Sequence, residues 1–344
     1  MEFLDFVAEQ NDDDKRIDKF ILKLLPELNI SLVCANLRSG FIRLNKKRVK
    51  NSQHIFCGDT ISIEKHFYER FNNNTKKDTS NLENKSDFLD SITILKNEHI
   101  LIVNKPFGFL VQGANKTEIS LDKIVQACSS SSLSFNAGPM HRLDKNTTGI
   151  LCFSQSLIGA RWFQCCMENH KISKTYIAIV EGKIEKEEEW IDSVDKNFTK
   201  NEQGFFTGKV LSSQDEQNLL DKNIAITNVK PIATGKIQST YGMKDKTSKE
   251  ITLVQFDIKT GRHHQIRMQS AYHLHPLLFD SAYNAKNIDS KKNNFYLHCI
   301  KMEFPENDLK IPTKIVCQPD KNFENAIKKF FDIQKYSNYQ KNLL

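Results

Sequence analysis

His141-Arg142-Leu143-Asp144-Lys145-Asn146-Thr147-Thr148-Gly149-Ile150 places one carboxylate, framed by an arginine and a glycine-ended turn, directly ahead of the apolar run Ile150 to Phe153. The run has the β-branched and aromatic character of a buried strand. An Asp between Leu143 and such a strand is partly desolvated and stands beside cations, the setting in which proteins build a reactive carboxylate. The same residues also read as an ordinary Asx-type turn before a strand, so the stretch alone leaves both readings open.

Outward from this turn, short apolar runs at Ile92 to Leu95, Ile100 to Val103, Tyr176 to Val180 and Leu253 to Ile258 alternate with helical segments. Such content predicts an α+β domain over 91–325, built on a mixed, mostly antiparallel sheet. Within it, Lys183 to Lys230 holds the acidic knot Glu185-Lys186-Glu187-Glu188-Glu189 and few strand signals beyond Phe205-Phe206, which suggests a peripheral insertion over 183–230. Residues 326–344 read as a C-terminal tail. Residues 68–90 are polar and poor in apolar groups; they bury too little surface to offset ordering entropy and read as a flexible linker.

The net charge of +7 is unevenly spread. Residues 1–14 form an acidic segment with six acids and no base, whereas residues 15–65 carry 11 Lys and Arg against 4 acids. A dense basic module is the footprint of a protein that tracks phosphates, although a solvated charged face has the same composition. In this module Ile17, Phe20, Ile21, Leu24 and Leu25 recur at helical spacing up to Pro26. A second helix runs from Ser31 as a capping residue to Gly40, followed by strands Phe41 to Leu44 and Thr60 to Glu64.

With 39% apolar and 26% charged residues, and no apolar run of membrane-spanning length, the composition fits a cytoplasmic protein without a membrane segment. The acidic start lacks the basic end of a secretory signal. Eight cysteines without a CxxC pair read as reduced, buried thiols, and His263, His264, His273 and His275 match no standard metal-ligand spacing, so no metal is expected.

Four segments in order resemble the RluA-type pseudouridine synthases over residues 92 to 320. They are Ile100 to Gly108 with Asn104-Lys105-Pro106, the turn His141 to Ile150, Lys174 to Gly182, and Thr260-Gly261-Arg262-His263-His264-Gln265-Ile266-Arg267, closed by Leu297-His298-Cys299. The N-terminal stretches Arg16 to Phe20, Gly40 to Val49 and Gly58 to Ile61 resemble an S4 (αL-type) RNA-binding domain, spanning 15–67. The resemblance implies the pseudouridine synthase fold and the isomerisation of uridine in RNA, without cofactor or metal. Asp144 occupies the position of the family's nucleophile.

By the same resemblance, Arg267 pairs with that carboxylate, Tyr176 stacks on the uracil, Arg142 fills the space of the extruded base, and Ile266 and Leu297 complete an apolar wall. Read without the family, Arg267 is a strand residue in a surface ion pair and Tyr176 a core residue. Arg16, Arg38, Arg43, Lys46 and Lys47 are the candidates for phosphate contact. The Val111-Gln112-Gly113 turn and the S4-like module lean toward the branch that acts on bacterial 23S rRNA in the large ribosomal subunit or its precursor, with the protein a monomer. A non-catalytic RNA-binding or ribosome-assembly factor, and a base-releasing glycosidase, are the rival readings; the glycosidase would need a second carboxylate.

Thr148 replaces a common Ser, and Gln269 stands where many relatives carry His. Leu274, Phe279 and Asn284 stand where glycine is usual, which bears on loop shape.

Overall fold

The computed structural model describes residues 1–72, 82–113, 118–129, 133–195, 197–201, 204–211, 223–237, 248–283 and 294–343. The chain packs as two compact units. One holds residues 1–102, 112–141 and 152–164, the other residues 103–111, 142–151 and 165–344.

In the first unit, β1 (Phe3–Val7), β2 (Ile42–Leu44) and β3 (Thr60–Glu64) form an antiparallel sheet in the order β1-β3-β2. Helices α1 (Ile17–Leu24) and α2 (Ile30–Ser39) bury Ile17, Phe20, Ile21, Val33 and Leu37 in the same core as Ile42, Ile61 and Ile63. The cap of α2 is Asn29, whose side chain accepts from Leu32 N–H, and not Ser31; Gly40 ends the helix in the left-handed conformation. The acidic start is no free segment. It supplies β1, and Asp12 is fully buried, accepting from the backbone N–H of Glu9 and Ser134.

Part of the expected linker is helical: α3 (Lys65–Phe71) and α4 (Leu82–Ile92) cover its two ends, while 73–81 lie outside the described residues. The reason for α3 lies in Phe67, Tyr68 and Phe71, which pack on the core, and in Glu64, which accepts from Phe67 N–H and caps the helix. Three aromatic residues within five positions offset an otherwise polar composition.

The second unit carries most of a large mixed sheet in an α+β arrangement; the outer ends of two strands, residues 100–102 and 152–154, are counted in the first. Strands β4 (Ile100–Lys105), β5 (Thr148–Ser154), β6 (Ser173–Glu181), β7 (Glu188–Ser193), β8 (Ile224–Ile237), β9 (Lys249–Ile258), β10 (Leu297–Glu303) and β11 (Lys314–Val316) follow in chain order, with helices α5 (Leu121–Cys128), α6 (Leu157–Glu168) and α7 (Gln265–Tyr272) between them. The path β7-β8-β9-β6-β10 is antiparallel throughout, and β10 then pairs parallel with the start of β5. Strand β6 is buried at seven consecutive positions, which explains its continuous apolar run; β8 alternates because one face is open.

Two boundaries differ from expectation. The stretch 183–230 contains β7 and the first half of β8, both members of the main sheet. Its acids hid them, because β7 buries only Trp190 and Asp192 and leaves Glu188 and Glu189 toward solvent. Residues 326–344 are no tail: α8 (Lys321–Phe330) and α9 (Ile333–Leu343) bury Phe323, Ile327, Phe331, Tyr336 and Leu343 against Ile177, Ile237 and Leu253. Contact with β8 is so close that a Cβ on Gly235 would lie 2.0 Å from the Phe330 carbonyl oxygen.

Leu274 and Phe279 adopt φ of 64° and 69°, so the backbone keeps the left-handed turns of the expected glycines although side chains are present. Asn284 lies outside the described residues. Left-handed backbone costs a non-glycine residue roughly 1–2 kcal/mol, and glycine itself costs roughly 0.5–1 kcal/mol in unfolded-state entropy. Leu274 is 84% exposed and contributes little packing. Leu274→Gly is therefore expected to stabilise the fold by about 0.5–1 kcal/mol and Leu274→Ala to leave it unchanged, as read from denaturant midpoints; equal midpoints for both would remove the strain argument.

Candidate active site

The catalytic-type turn is held from three sides. Lys105, the last residue of β4, is fully buried, and its Nζ donates to the carbonyls of Lys145 and Thr147 at 2.8 Å each. Burial lowers its ammonium to about 7, with the charge of Asp144 opposing that shift. Gly149 runs against β10 with φ of 105°, and a Cβ there would sit 2.3 Å from the Cys299 carbonyl oxygen, so this position admits only glycine. Beside it, buried His298 accepts at Nδ1 from the Thr148 hydroxyl and donates from Nε2 to the Cys317 carbonyl. Burial lowers that imidazole to about 4, which keeps it neutral.

Arg267 approaches from α7 (Gln265–Tyr272), a helix and not the expected strand. The change of element follows from His264, whose φ of 54° turns the chain sharply after the Gly261-Arg262 loop. Gln265 then seals that turn: its Oε1 accepts from the Thr260 hydroxyl and the Arg262 N–H. Residues 265–270 are all buried, and the helix meets the sheet through a polar chain. Gln265 Nε2 donates to Thr227, Thr227 donates to Gln269, and Gln269 donates to Asp192. Gln269 thus fills a structural place in this chain.

The Arg267 guanidinium is 4% exposed. Its Nε and Nη2 grip Asp280, itself fully buried, at 2.7 and 2.9 Å, and its Nη1 reaches Asp144 at 3.1 Å. The rings of Phe295 and Tyr283 lie 4.5 and 5.0 Å from its carbon centre. Burial alone would lower this guanidinium, but the bonds and charge of Asp280, with Asp144, raise it above its ordinary value, so it is permanently charged. The Tyr283 hydroxyl accepts from Gly208 N–H and donates to His264 Nδ1, leaving the Nε2–H of His264 toward Asp144 at 3.6 Å. Burial lowers His264 to about 3, so this neighbour is neutral and does not compete with Arg267 for the carboxylate.

Arg142, Asp144, Tyr176, Ile266, Arg267 and Leu297 all line one cleft. Asp144 is 18% exposed, Tyr176 is buried, and Arg142 is exposed at the rim. Tyr176 follows a register shift between Thr175 and Tyr176 where β6 meets β10, a bulge that re-aims a side chain. Asp280, His264, Tyr283 and Lys105 also shape the site, and none was picked out for a role from sequence. A lone acid in the apolar context Leu277-Leu278-Phe279-Asp280 was the available signal. Asp144, His263 and His264 offer ligand atoms within 4.8 Å of one another, but Arg267 already occupies the carboxylate with a fixed positive charge.

The five candidate phosphate-binding residues divide. Arg38, Lys46 and Lys47 are exposed. Arg16 is engaged by Asp18, and Arg43 donates to the Gly40 carbonyl and covers the Phe3 ring at 4.4 Å.

Removing one partner of a buried ion pair leaves an uncompensated charge and costs roughly 3–5 kcal/mol. Asp280→Ala is expected to destabilise the protein by that amount in urea unfolding, and a loss below about 1 kcal/mol would mean that water reaches Arg267.

The family model described as RNA pseudouridylate synthase matches residues 99–272. Ribosomal large subunit pseudouridine synthase C of Vibrio vulnificus is 26% identical over 318 residues, covering 91% of this chain and 92% of the relative. The protein of that description from Buchnera aphidicola subsp. Schizaphis graminum is 29% identical over 327 residues, with 91% and 93% covered. Among solved structures, Human RNA Pseudouridylate Synthase Domain Containing 4 shares the fold with a TM-score of 0.53 at 16% identity, over 72% of this chain and 97% of that one. The match spans half the chain and contains the turn of Asp144, the strand of Tyr176 and the helix of Arg267: the chain belongs to the RNA pseudouridylate synthase family.

Proposed function

We propose that this RNA pseudouridine synthase isomerises uridines of large-subunit ribosomal RNA, with Asp144 as the catalytic carboxylate and the N-terminal basic module as an S4-type RNA anchor. The observation that carries the reading is Asp144, the one acid among the described residues of the cleft, facing a buried, permanently charged Arg267. Isomerisation breaks the bond from ribose to base, turns the uracil and rejoins it through carbon. It calls for one ionised carboxylate and a wall that keeps the freed base from water. Arg267 supplies the counter-charge. Tyr176, Ile266 and Leu297 supply the wall, and exposed Arg142 supplies a side chain that enters the helix space left by an extruded base.

The rival readings fit less well. A fold kept only to bind RNA has no use for a carboxylate facing phosphates. A glycosidase of the common kind needs a second acid, and among the described residues the other carboxylate that meets Arg267, Asp280, is fully buried and engaged by its guanidinium. The large-subunit target is supported by the names of the bacterial relatives.

Asp144→Asn is nearly isosteric and is expected to abolish turnover with RNA affinity kept within about twofold. Carbodiimide mapping of pseudouridine in RNA from cells lacking the protein, complemented with either form, checks this. Sites restored by the wild type alone establish activity and target; sites restored by Asp144→Asn would remove Asp144 from its role. For the anchor, each phosphate contact adds about 0.7–0.9 to the slope of log affinity against log salt. Neutralising exposed Lys46 and Lys47 together is expected to lower that slope by about 1.5, and an unchanged slope would exclude them from the interface.

A further inference from the structure

A second hollow, about 300 Å³, opens on the other side of the catalytic turn and shares Leu297 with the cleft of Asp144. Its chemistry is distinct. Asn146, Asn294, Asn322 and Asn325 bring amides and Asp320 brings a carboxylate, and among the described residues no Lys or Arg lines it. One rim is the Phe107 ring, 40% exposed at the tip of the Pro106-Phe107-Gly108 turn, whose Gly108 N–H donates to the Lys145 carbonyl. Tyr296 lies in the wall, and burial together with the charge of Asp320 raises its hydroxyl, which stays protonated.

A phosphate is disfavoured beside the Asp320 carboxylate. An exposed aromatic ring beside amide groups suits a nucleobase, which offers a π-face and an edge of donors and acceptors. The carboxylate only accepts, so it selects a base with donors; guanine, with adjacent N1–H and N2–H₂, offers two. Resting on the reading that this chain modifies RNA, we propose that the hollow is a specificity subsite holding a second, unstacked base of the substrate strand, preferably guanine, against Phe107 and Asp320. The subsite reports to the catalytic centre through the chain itself: Phe107 is two residues from Lys105, and Asn146 and Thr148 flank Thr147 in the turn that Lys105 grips.

The test is ultraviolet crosslinking of the full-length protein to transcribed large-subunit ribosomal RNA, with adducts located by mass spectrometry. A guanosine adduct on Phe107 or Tyr296 is expected. Asp320→Asn still caps α8, since Asn and Asp cap equally well, and is expected to abolish the guanosine preference of that adduct. Phe107→Leu is expected to raise KM about tenfold with kcat within twofold, the size of a lost base stack. Adducts at Tyr176 with none at Phe107 or Tyr296, or an unchanged KM in Phe107→Leu, would overturn the subsite. Pseudouridine formation is scored in the same reactions; its absence with the wild-type protein counts against the functional reading, while the adduct map judges the subsite on its own.

Discussion

The arrangement around Asp144 depends on a buried ion pair behind it. Arg267 and Asp280 are almost wholly removed from water, and neither charge is tolerable there alone. Two guanidinium nitrogens are committed to Asp280, and the planar fork then leaves Nη1 a single direction, toward Asp144. Stacked rings on either side remove what rotation remains. The counter-charge of Asp144 is therefore oriented before any RNA arrives. That is the form of electrostatic assistance which needs no reorganisation during the reaction.

Such an ion needs a rigid mount, and α7 supplies one by unusual means. The helix has no clean apolar stripe; it is buried through Gln265 and Gln269, whose amides are saturated by Thr227, Asp192 and backbone carbonyls. Satisfied polar networks tolerate little displacement, because every shift leaves a buried group unpaired. The opposite jaw, residues 144–149, is fixed by backbone bonds to Lys105 and by the close parallel seam at Gly149 and Cys299.

The legible part of this protein was that carried by local pattern. The motif order picked out six residues, Arg142, Asp144, Tyr176, Ile266, Arg267 and Leu297, that line one cleft, and the apolar runs found β4, β5, β6 and β9. Long-range pairing stayed hidden. Nothing local marks Asp280 as the partner of an arginine 13 residues earlier, or Asp12 as a buried acceptor for Ser134. Charge was the main source of error: the acids of β7 and the polar residues of α3 concealed elements stabilised by a few large side chains, Trp190 in one and Phe67 with Phe71 in the other. Glycine was the second. Leu274 and Phe279 hold left-handed turns that a reader expects only glycine to hold.

The residues of the cleft and its support are scattered from Lys105 to His298, while the core of β1, β2, β3, α1 and α2 closes within the first 64 residues. Synthesis runs in that order, so the basic module is complete long before the carboxylate meets its counter-ion. A chain cut between Arg267 and Asp280 carries Asp144 and Arg267 but lacks the carboxylate that holds the guanidinium in place. The charge arrangement around Asp144 therefore closes only after the basic module has been made, once Asp280 is in the chain.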